Sequence, residues 1–177
     1  MSEVRKSSFE PVANVDARLL VLGSLPGDAS LAAQQYYAHP ANQFWRLIGA
    51  VLNEDLAALP YEARLDRLCA GKVALWDVIE SAARGGSLDT AIREPAANAL
   101  PEFVSRLPSL RAVAFNGGTS ARIGRRALAG SRVALVNLPS SSAAHAARSL
   151  ADKMTIWLGL RRWLADGDVT ENGKIES

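Results

Sequence analysis

Four short runs of β-branched and aliphatic residues, each bounded by polar or turn residues, constrain this chain more than any other feature. They are Arg18-Leu-Leu-Val-Leu-Gly23, Val73-Ala-Leu-Trp76, Arg111-Ala-Val-Ala-Phe-Asn116 and Arg132-Val-Ala-Leu-Val-Asn137, and they read as buried strands. Helical patterns lie between them, over about 41–52 after His39-Pro40, about 60–70 opened by Pro60, about 98–107, and 119–129 opened by Thr119. A last helix is expected from near Ala143, carrying Leu150, Met154, Trp157 and Leu164 at three- and four-residue spacing, with Arg161 and Arg162 in its final turns. Strands alternating with helices predict a three-layer α/β/α fold around a central, mainly parallel four-stranded sheet. The 177 residues, 49% of them hydrophobic, suffice for one domain over 1–177 with a core at about 15–165. The ends, roughly 1–12 and 166–177, are polar and expected to be loose.

Composition narrows the function. A formal charge of +2 excludes a disordered polyelectrolyte and a histone-like basic protein. One cysteine, Cys69, and two histidines exclude a disulfide framework, a Cys-rich zinc site and a four-cysteine iron–sulfur cluster, so neither metal nor cofactor is expected. Residues Met1 to Pro11 lack an apolar core of signal-peptide length, and no window approaches the roughly 18 apolar residues of a membrane span. A cytoplasmic protein without membrane contact is the expectation. The small net charge hides an asymmetry. Residues 1–90 hold 8 basic and 11 acidic side chains, and residues 91–177 hold 12 and 7. Between Glu102 and Asp152 there is no acidic residue, yet Arg106, Arg111, Arg122, Arg125, Arg126, Arg132 and Arg148 all fall there. Such a stretch suits a polyanion such as nucleic acid, or else is an ordinary arginine-rich surface.

In a parallel sheet, ligands bind where loops leave the carboxyl ends of the strands, beside unpaired backbone groups and helix N-termini. Here those ends run into Gly23-Ser24-Leu25-Pro26-Gly27, Trp76-Asp77, Asn116-Gly-Gly-Thr119 and Asn137-Leu-Pro139-Ser140-Ser141-Ser142. In the first, glycines allow close backbone approach to a ligand, but the turn matches neither a Walker phosphate loop nor the dinucleotide fingerprint. The segment Tyr36-Tyr37-Ala38-His39-Pro40-Ala41-Asn42-Gln43-Phe44-Trp45 places four aromatic rings on the same rim, where rings stack on planar bases. Phe44 and Trp45 are better read as core anchors of the next helix. Asn116 ends a buried strand. Its amide either matches a base edge presenting a carbonyl beside an N–H, or caps the following helix. Pro139 to Ser142, with His145 behind, is either a phosphate-gripping loop or a serine-rich helix cap. Asp77 and Asp28 are the rim carboxylates, and Asp77 reads best as a helix cap. A serine nucleophile is disfavoured because Gly-x-Ser-x-Gly is missing.

Taken together and in order, Gly23-Ser-Leu-Pro-Gly27, Tyr36-Tyr-Ala-His-Pro-Ala-Asn-Gln-Phe-Trp45, Leu75-Trp-Asp-Val78, Phe115-Asn-Gly117 and Leu138-Pro-Ser-Ser-Ser-Ala143 resemble the hypoxanthine-DNA (deoxyinosine) glycosylase branch of the uracil-DNA glycosylase superfamily, over about 15–165. Mismatch-specific uracil glycosylases share some of these elements but carry Asn where this chain has Ser24, and Asn-Pro-Ser where it has Leu138-Pro139-Ser140.

The resemblance implies a monofunctional DNA glycosylase that rotates a deaminated base, hypoxanthine first, out of the duplex and hydrolyses its bond to the sugar. It implies a base-binding group of Tyr37, stacking on the base, Asn116, bonding its edge, and Gly23, Leu25 and Pro26. Pro139, Ser140, Ser141, Ser142 and His145 would contact DNA. Ser24 stands where relatives hold a water-positioning residue, and Asn42 looks like the residue that takes over. An oxocarbenium-like sugar needs its water oriented rather than strongly deprotonated, so a neutral amide suffices. Either histidine is a further donor, unless His39 is structural and His145 caps the last helix. No Lys lies in the rim motifs, so strand cleavage through a Schiff base is not expected. The expected partners are DNA containing a deaminated base and the enzymes that process abasic sites, with the protein a nucleoid-associated monomer. The alternatives are a uracil or G·T mismatch glycosylase of the same fold, a non-catalytic nucleic-acid-binding protein, and a hydrolase of small nucleosides.

Overall fold

The computed structural model describes residues 4–167. All four aliphatic runs pair as strands: β2 (Leu19–Gly23), β3 (Val73–Asp77), β6 (Ala112–Asn116) and β7 (Ala134–Leu138) lie in the order β3-β2-β6-β7, every pair parallel. Alternation splits their side chains between two cores. Leu19 and Val21, Val73 and Leu75, and Ala112 and Ala114 pack with Phe44, Trp45 and Leu47 of α2 (Phe44–Leu52), Leu68 of α3 (Tyr61–Ala70) and Trp157 of α6 (Leu150–Leu158). Leu20 and Leu22, Ala74, and Val113 and Phe115 pack on the other face against Leu100 of α4 (Leu100–Ser105) and Ala121 of α5 (Gly118–Ala127). The expected α/β/α architecture with a central parallel four-stranded sheet is therefore the observed one, and Phe44 and Trp45 are indeed core anchors.

Two elements absent from the sequence reading join it. A short α1 (Asp28–Ala33) follows Gly27. A second, antiparallel sheet has the order β1-β4-β5, with β1 (Arg5–Ser7), β4 (Ile79–Arg84) and β5 (Ile92–Ala97). Its strands, Arg-Lys-Ser, Ile-Glu-Ser-Ala-Ala-Arg and Ile-Arg-Glu-Pro-Ala-Ala, have little intrinsic strand character. Only Val78 separates β3 from β4, so the chain passes directly from one sheet to the other at the rim. The N-terminal stretch is correspondingly not loose: β1 pairs with β4, and Val12 bridges Leu75. The expectation of loose ends at 1–3 and 168–177 lies outside the described residues.

The last helix also differs from expectation. It begins at Leu150 rather than near Ala143, because the Ser149 Oγ accepts the Asp152 N–H and donates to the Asp152 carboxylate. Helical structure then breaks after Leu158 and resumes as α7 (Arg161–Leu164). Helix α4 is likewise shorter than the predicted 98–107.

Helix α5 sits close on β6 because Gly124 is buried against the Phe115 ring, which a Cβ at 124 would overlap. Alanine there gains up to about 1 kcal/mol of helix propensity, but overpacking a filled core costs about 1–3 kcal/mol. Gly124→Ala is therefore expected to lower the urea midpoint of unfolding, with a net loss on the order of 1–2 kcal/mol.

Candidate active site

The carboxyl ends of β2, β3 and β6 surround a cavity of about 680 Å³ lined by Gly23, Ser24, Leu25, Pro26, Tyr37, Asn42, Asp77, Asp89, Asn116 and Ser140 to His145, among others. That volume lies within the range of small-molecule sites. A second concavity, between β1 and α1, is crossed by the Lys6–Asp28 ion pair and includes none of the rim motifs except Asp28.

One hydrogen-bonded chain fixes one wall. The Ser141 N–H donates to Asn116 Oδ1 (2.8 Å), and Asn116 Nδ2 donates to Ser141 Oγ (2.9 Å) and to the Tyr37 hydroxyl oxygen (3.1 Å). Ser141 Oγ in turn donates to Asn42 Oδ1 (2.9 Å), which also accepts the Phe44 N–H (2.9 Å) at the start of α2. Because a backbone N–H must meet an oxygen, the Asn42 amide orientation is set, and its Nδ2 has no hydrogen-bond partner among the described residues. Tyr37, Asn42 and Asn116 thus line one void.

The chain also revises several roles. Both N–H donors of Asn116 are taken by Ser141 and Tyr37, so it positions its neighbours and does not cap α5. Ser141 is 1% exposed with its hydroxyl committed, which removes it from the set of phosphate contacts; Pro139, Ser140 and Ser142 keep partial exposure. His145 is exposed in a turn, its N–H on the Ser142 carbonyl, five residues before Leu150, so it does not cap the last helix. The His39 Nδ1 accepts the Ala41 N–H, a structural turn contact.

Ser24 departs from expectation as well. Its Oγ donates to Asp89 Oδ1 (2.7 Å) rather than being free to orient water. Asp89 reaches the cavity from the turn after β4, and Arg84, 1% exposed, supports the same wall. The Arg84 guanidinium donates to the carbonyls of Leu25 and Pro26 and lies 3.7 Å from Asp89. Sequence reasoning missed both residues because it missed β4; Gly85-Gly86-Ser87 was the available hairpin signal. Also missed was Lys153 of α6, 1% exposed, whose Nζ donates to Gln43 Oε1 and the Ser142 carbonyl and so ties α2 to the serine loop.

The glycine at 23 lines the cavity and also makes room for its neighbours. A Cβ there would lie 2.6 Å from Asp77 Oδ1 and 2.7 Å from the Tyr37 hydroxyl, so its absence lets both groups converge. Tyr37 itself sits at φ 52°, rare for an aromatic residue, with its ring stacked on Phe44 at 3.9 Å between centroids. Burial and the Asp77 carboxylate push the Tyr37 hydroxyl above the usual phenol range, so it stays neutral. Asp77, expected as a helix cap, instead ends β3 on the cavity wall. It is 4% exposed, and its Oδ2 is buried without a partner. Burial first, and then the charge of Asp89, push its carboxyl up to about 7, against the opposing effect of Arg84.

The seven arginines of the acid-free stretch do not form one surface. Arg111 lies at the opposite ends of the strands, donating to the carbonyls of Trp163 and Ala165, whereas Arg106, Arg122, Arg125, Arg126, Arg132 and Arg148 are exposed.

Two substitutions should move stability in opposite directions. Ser141→Ala leaves one Asn116 N–H unpaired and removes one of the two bonds to Asn42 Oδ1, and is expected to lower the urea midpoint of unfolding, with a loss of about 1–3 kcal/mol. Folding raises the Asp77 pKa from 3.8 to about 7, so the native state takes up a proton in that window. Stability therefore falls as pH rises through it, by about 4 kcal/mol if the shift is fully expressed. Asp77→Asn does not ionise, so chemical denaturation should show its advantage over the wild type growing from pH 5 to pH 8.

Comparison with known proteins agrees with this geometry. The family model for the uracil DNA glycosylase superfamily matches residues 10–161. A hypoxanthine DNA glycosylase of Methanosarcina barkeri is 42% identical over 117 residues, 66% of this chain and 74% of that protein. One of Methanosarcina acetivorans is 39% identical over 112 residues, 63% and 71% of the two chains. A solution NMR structure of a candidate uracil DNA glycosylase from Methanosarcina acetivorans superimposes with a TM-score of 0.82 at 35% identity, covering 91% of this chain and 99% of that one. With a parallel sheet whose rim carries the expected motifs, and a family match over most of its length, this chain belongs to the uracil DNA glycosylase superfamily.

Proposed function

We propose that the protein is a monofunctional DNA glycosylase that hydrolyses the N-glycosidic bond of a deaminated base, hypoxanthine first, and leaves an abasic site. The observation that carries this reading is the cavity itself. A neutral phenol, a pinned Asn42 amide with an unused NH₂ and an ionisable carboxyl face one void at a strand-end rim. The relatives named hypoxanthine DNA glycosylase point to the same lesion.

In this reading the extruded base lies against the Tyr37 ring, between Gly23-Ser-Leu-Pro-Gly27 and the Ser140–Ser142 loop. Asn42, held at its oxygen by Phe44 N–H and Ser141 Oγ, presents N–H donors that fix the attacking water by its lone pair. Because the sugar is oxocarbenium-like when water arrives, orientation supplies most of what the step needs. Pro139, Ser140, Ser142 and His145 on the outer lip approach the DNA backbone, and exposed arginines of the acid-free stretch add charge attraction to phosphate. The protein acts as a monomer on nucleoid DNA, and an abasic product requires a following class of enzyme that cleaves or rebuilds the unsubstituted sugar.

Duplexes carrying a single inosine, uracil, xanthine or G·T mismatch, incubated with the protein and then treated with alkali, test the lesion class. Cleavage is expected fastest at inosine. Faster cleavage at uracil or G·T would favour the alternative specificity, and inertness on all four would overturn the catalytic reading. Asn42→Ala is expected to retain inosine-duplex binding by fluorescence anisotropy while base release slows on the order of 100- to 1,000-fold.

A further inference from the structure

The buried carboxyl of Asp77 plays no part in the water-orienting scheme above, yet it is the most unusual polar group in the cavity wall. It is 4% exposed at the end of a buried strand, and one oxygen is sealed off without a hydrogen bond. The other packs against the bare Cα of Gly23, where any side chain would displace it. A purely structural aspartate so placed would ordinarily be paired or replaced by an uncharged residue, since an unpaired buried carboxylate is costly.

The groups that face it define its state. From the β2–α2 connection come the phenols Tyr36 and Tyr37, both kept neutral by burial. From the turn after β4 comes Asp89, whose negative charge disfavours a second carboxylate, and from β4 comes Arg84, which opposes that effect but spends its guanidinium on the Leu25 and Pro26 carbonyls and Asp89. From β6 comes the neutral, donor-saturated Asn116. His39 and His145 line the same cavity but are exposed, at its outer edge. The balance holds Asp77 as a carboxylic acid up to about pH 7, where a general acid works best in a neutral cell.

We propose that Asp77 is a further catalytic residue, the acid that protonates the imidazole nitrogen N7 of an extruded purine as its bond to the sugar breaks. The proposal rests on the glycosylase reading above. The C1′–N9 bond breaks with its electron pair staying on N9, the Asp77 proton passes to N7, and the base departs neutral rather than as an anion. Water then bonds to C1′ and loses a proton to solvent, from which the Asp77 carboxylate is reprotonated. An amide such as Asn42 or Asn116 orients by hydrogen bonding but has no proton to give. Asp77 therefore supplies what a purine leaving group needs and what the amide wall lacks.

Single-turnover release of hypoxanthine from an inosine duplex, measured from about pH 6 to about pH 9, tests this. The wild-type rate is expected to fall roughly tenfold per pH unit above about pH 7. Asp77→Asn, which keeps a hydrogen-bond donor and folds at least as stably, should bind the duplex as the wild type does, release base about 100-fold more slowly or worse, and show no such fall. Asp89→Asn should keep the fall but move it to lower pH, because removing the neighbouring negative charge makes Asp77 easier to ionise. A flat wild-type profile, an Asp77→Asn variant with an unchanged pH break, or a break that disappears with Asp89→Asn and survives Asp77→Asn would each overturn the assignment while leaving the glycosylase reading intact. A wild type inert on inosine at every pH would instead overturn that reading and this one with it.

Discussion

The reciprocal pair between the Asn116 side chain and Ser141 holds this site together. Two hydrogen bonds close between one amide and one serine, and from that serine and that amide the network runs on to Asn42 and Tyr37. It joins the end of β6, the loop after β7 and the segment before α2, and it adds side-chain bonds to the backbone contacts of Gly117 N–H with the Leu138 carbonyl and Gln43 N–H with the Ser141 carbonyl. Buried polar groups cost most when half satisfied and rigidify most when fully satisfied. Here the donors of Asn116 and the hydroxyl of Ser141 are all used, so the wall is pre-formed, which suits the proposed orientation of water and a planar base. Lys153 extends the same logic from below, pinning Gln43 and the Ser142 carbonyl with a single buried ammonium.

Beside this satisfied network stands an unsatisfied part of the wall. Asp77 has an orphaned oxygen, and Asp89 and Arg84 set its charge state without bonding it. The contrast divides the cavity into a part that holds geometry and a part that is able to move a proton. It also explains the second sheet. The β4 strand leaves β3 after a single residue, carries Arg84 under the Leu25-Pro26 turn and delivers Asp89 to Ser24. A three-stranded antiparallel sheet with weak strand propensities is thus the support for one wall of the active site.

Tyr37 shows how the two walls are coupled. Its left-handed backbone, its stacking on Phe44 and its hydrogen bond from Asn116 place the hydroxyl against Gly23 beside Asp77. The ring is thereby immobilised before any base arrives, which lowers the ordering cost of stacking.

The amino-acid sequence by itself determined the parallel sheet and its rim, because Leu19–Gly23, Val73–Asp77, Ala112–Asn116 and Ala134–Leu138 are short, predominantly apolar runs, three of which end on or near the polar residues Asp77, Asn116 and Asn137. It also placed Tyr37, Asn42, Asn116 and the serine loop on that rim, since strand-end loops follow from strand positions. Local pattern carried no comparable signal for β4 and β5, whose alanines, charges and proline become strands only by pairing with each other and, through β4, with the distant β1. Which polar groups are spent and which are free was decided by tertiary structure alone. Nothing local to Ser24, Ser141 or Asp77 tells that the first is bound to Asp89, the second is a buried hub and the third is left without a partner. Hydrogen-bond satisfaction and desolvation depend on neighbours that the fold brings from 25 to 99 positions away.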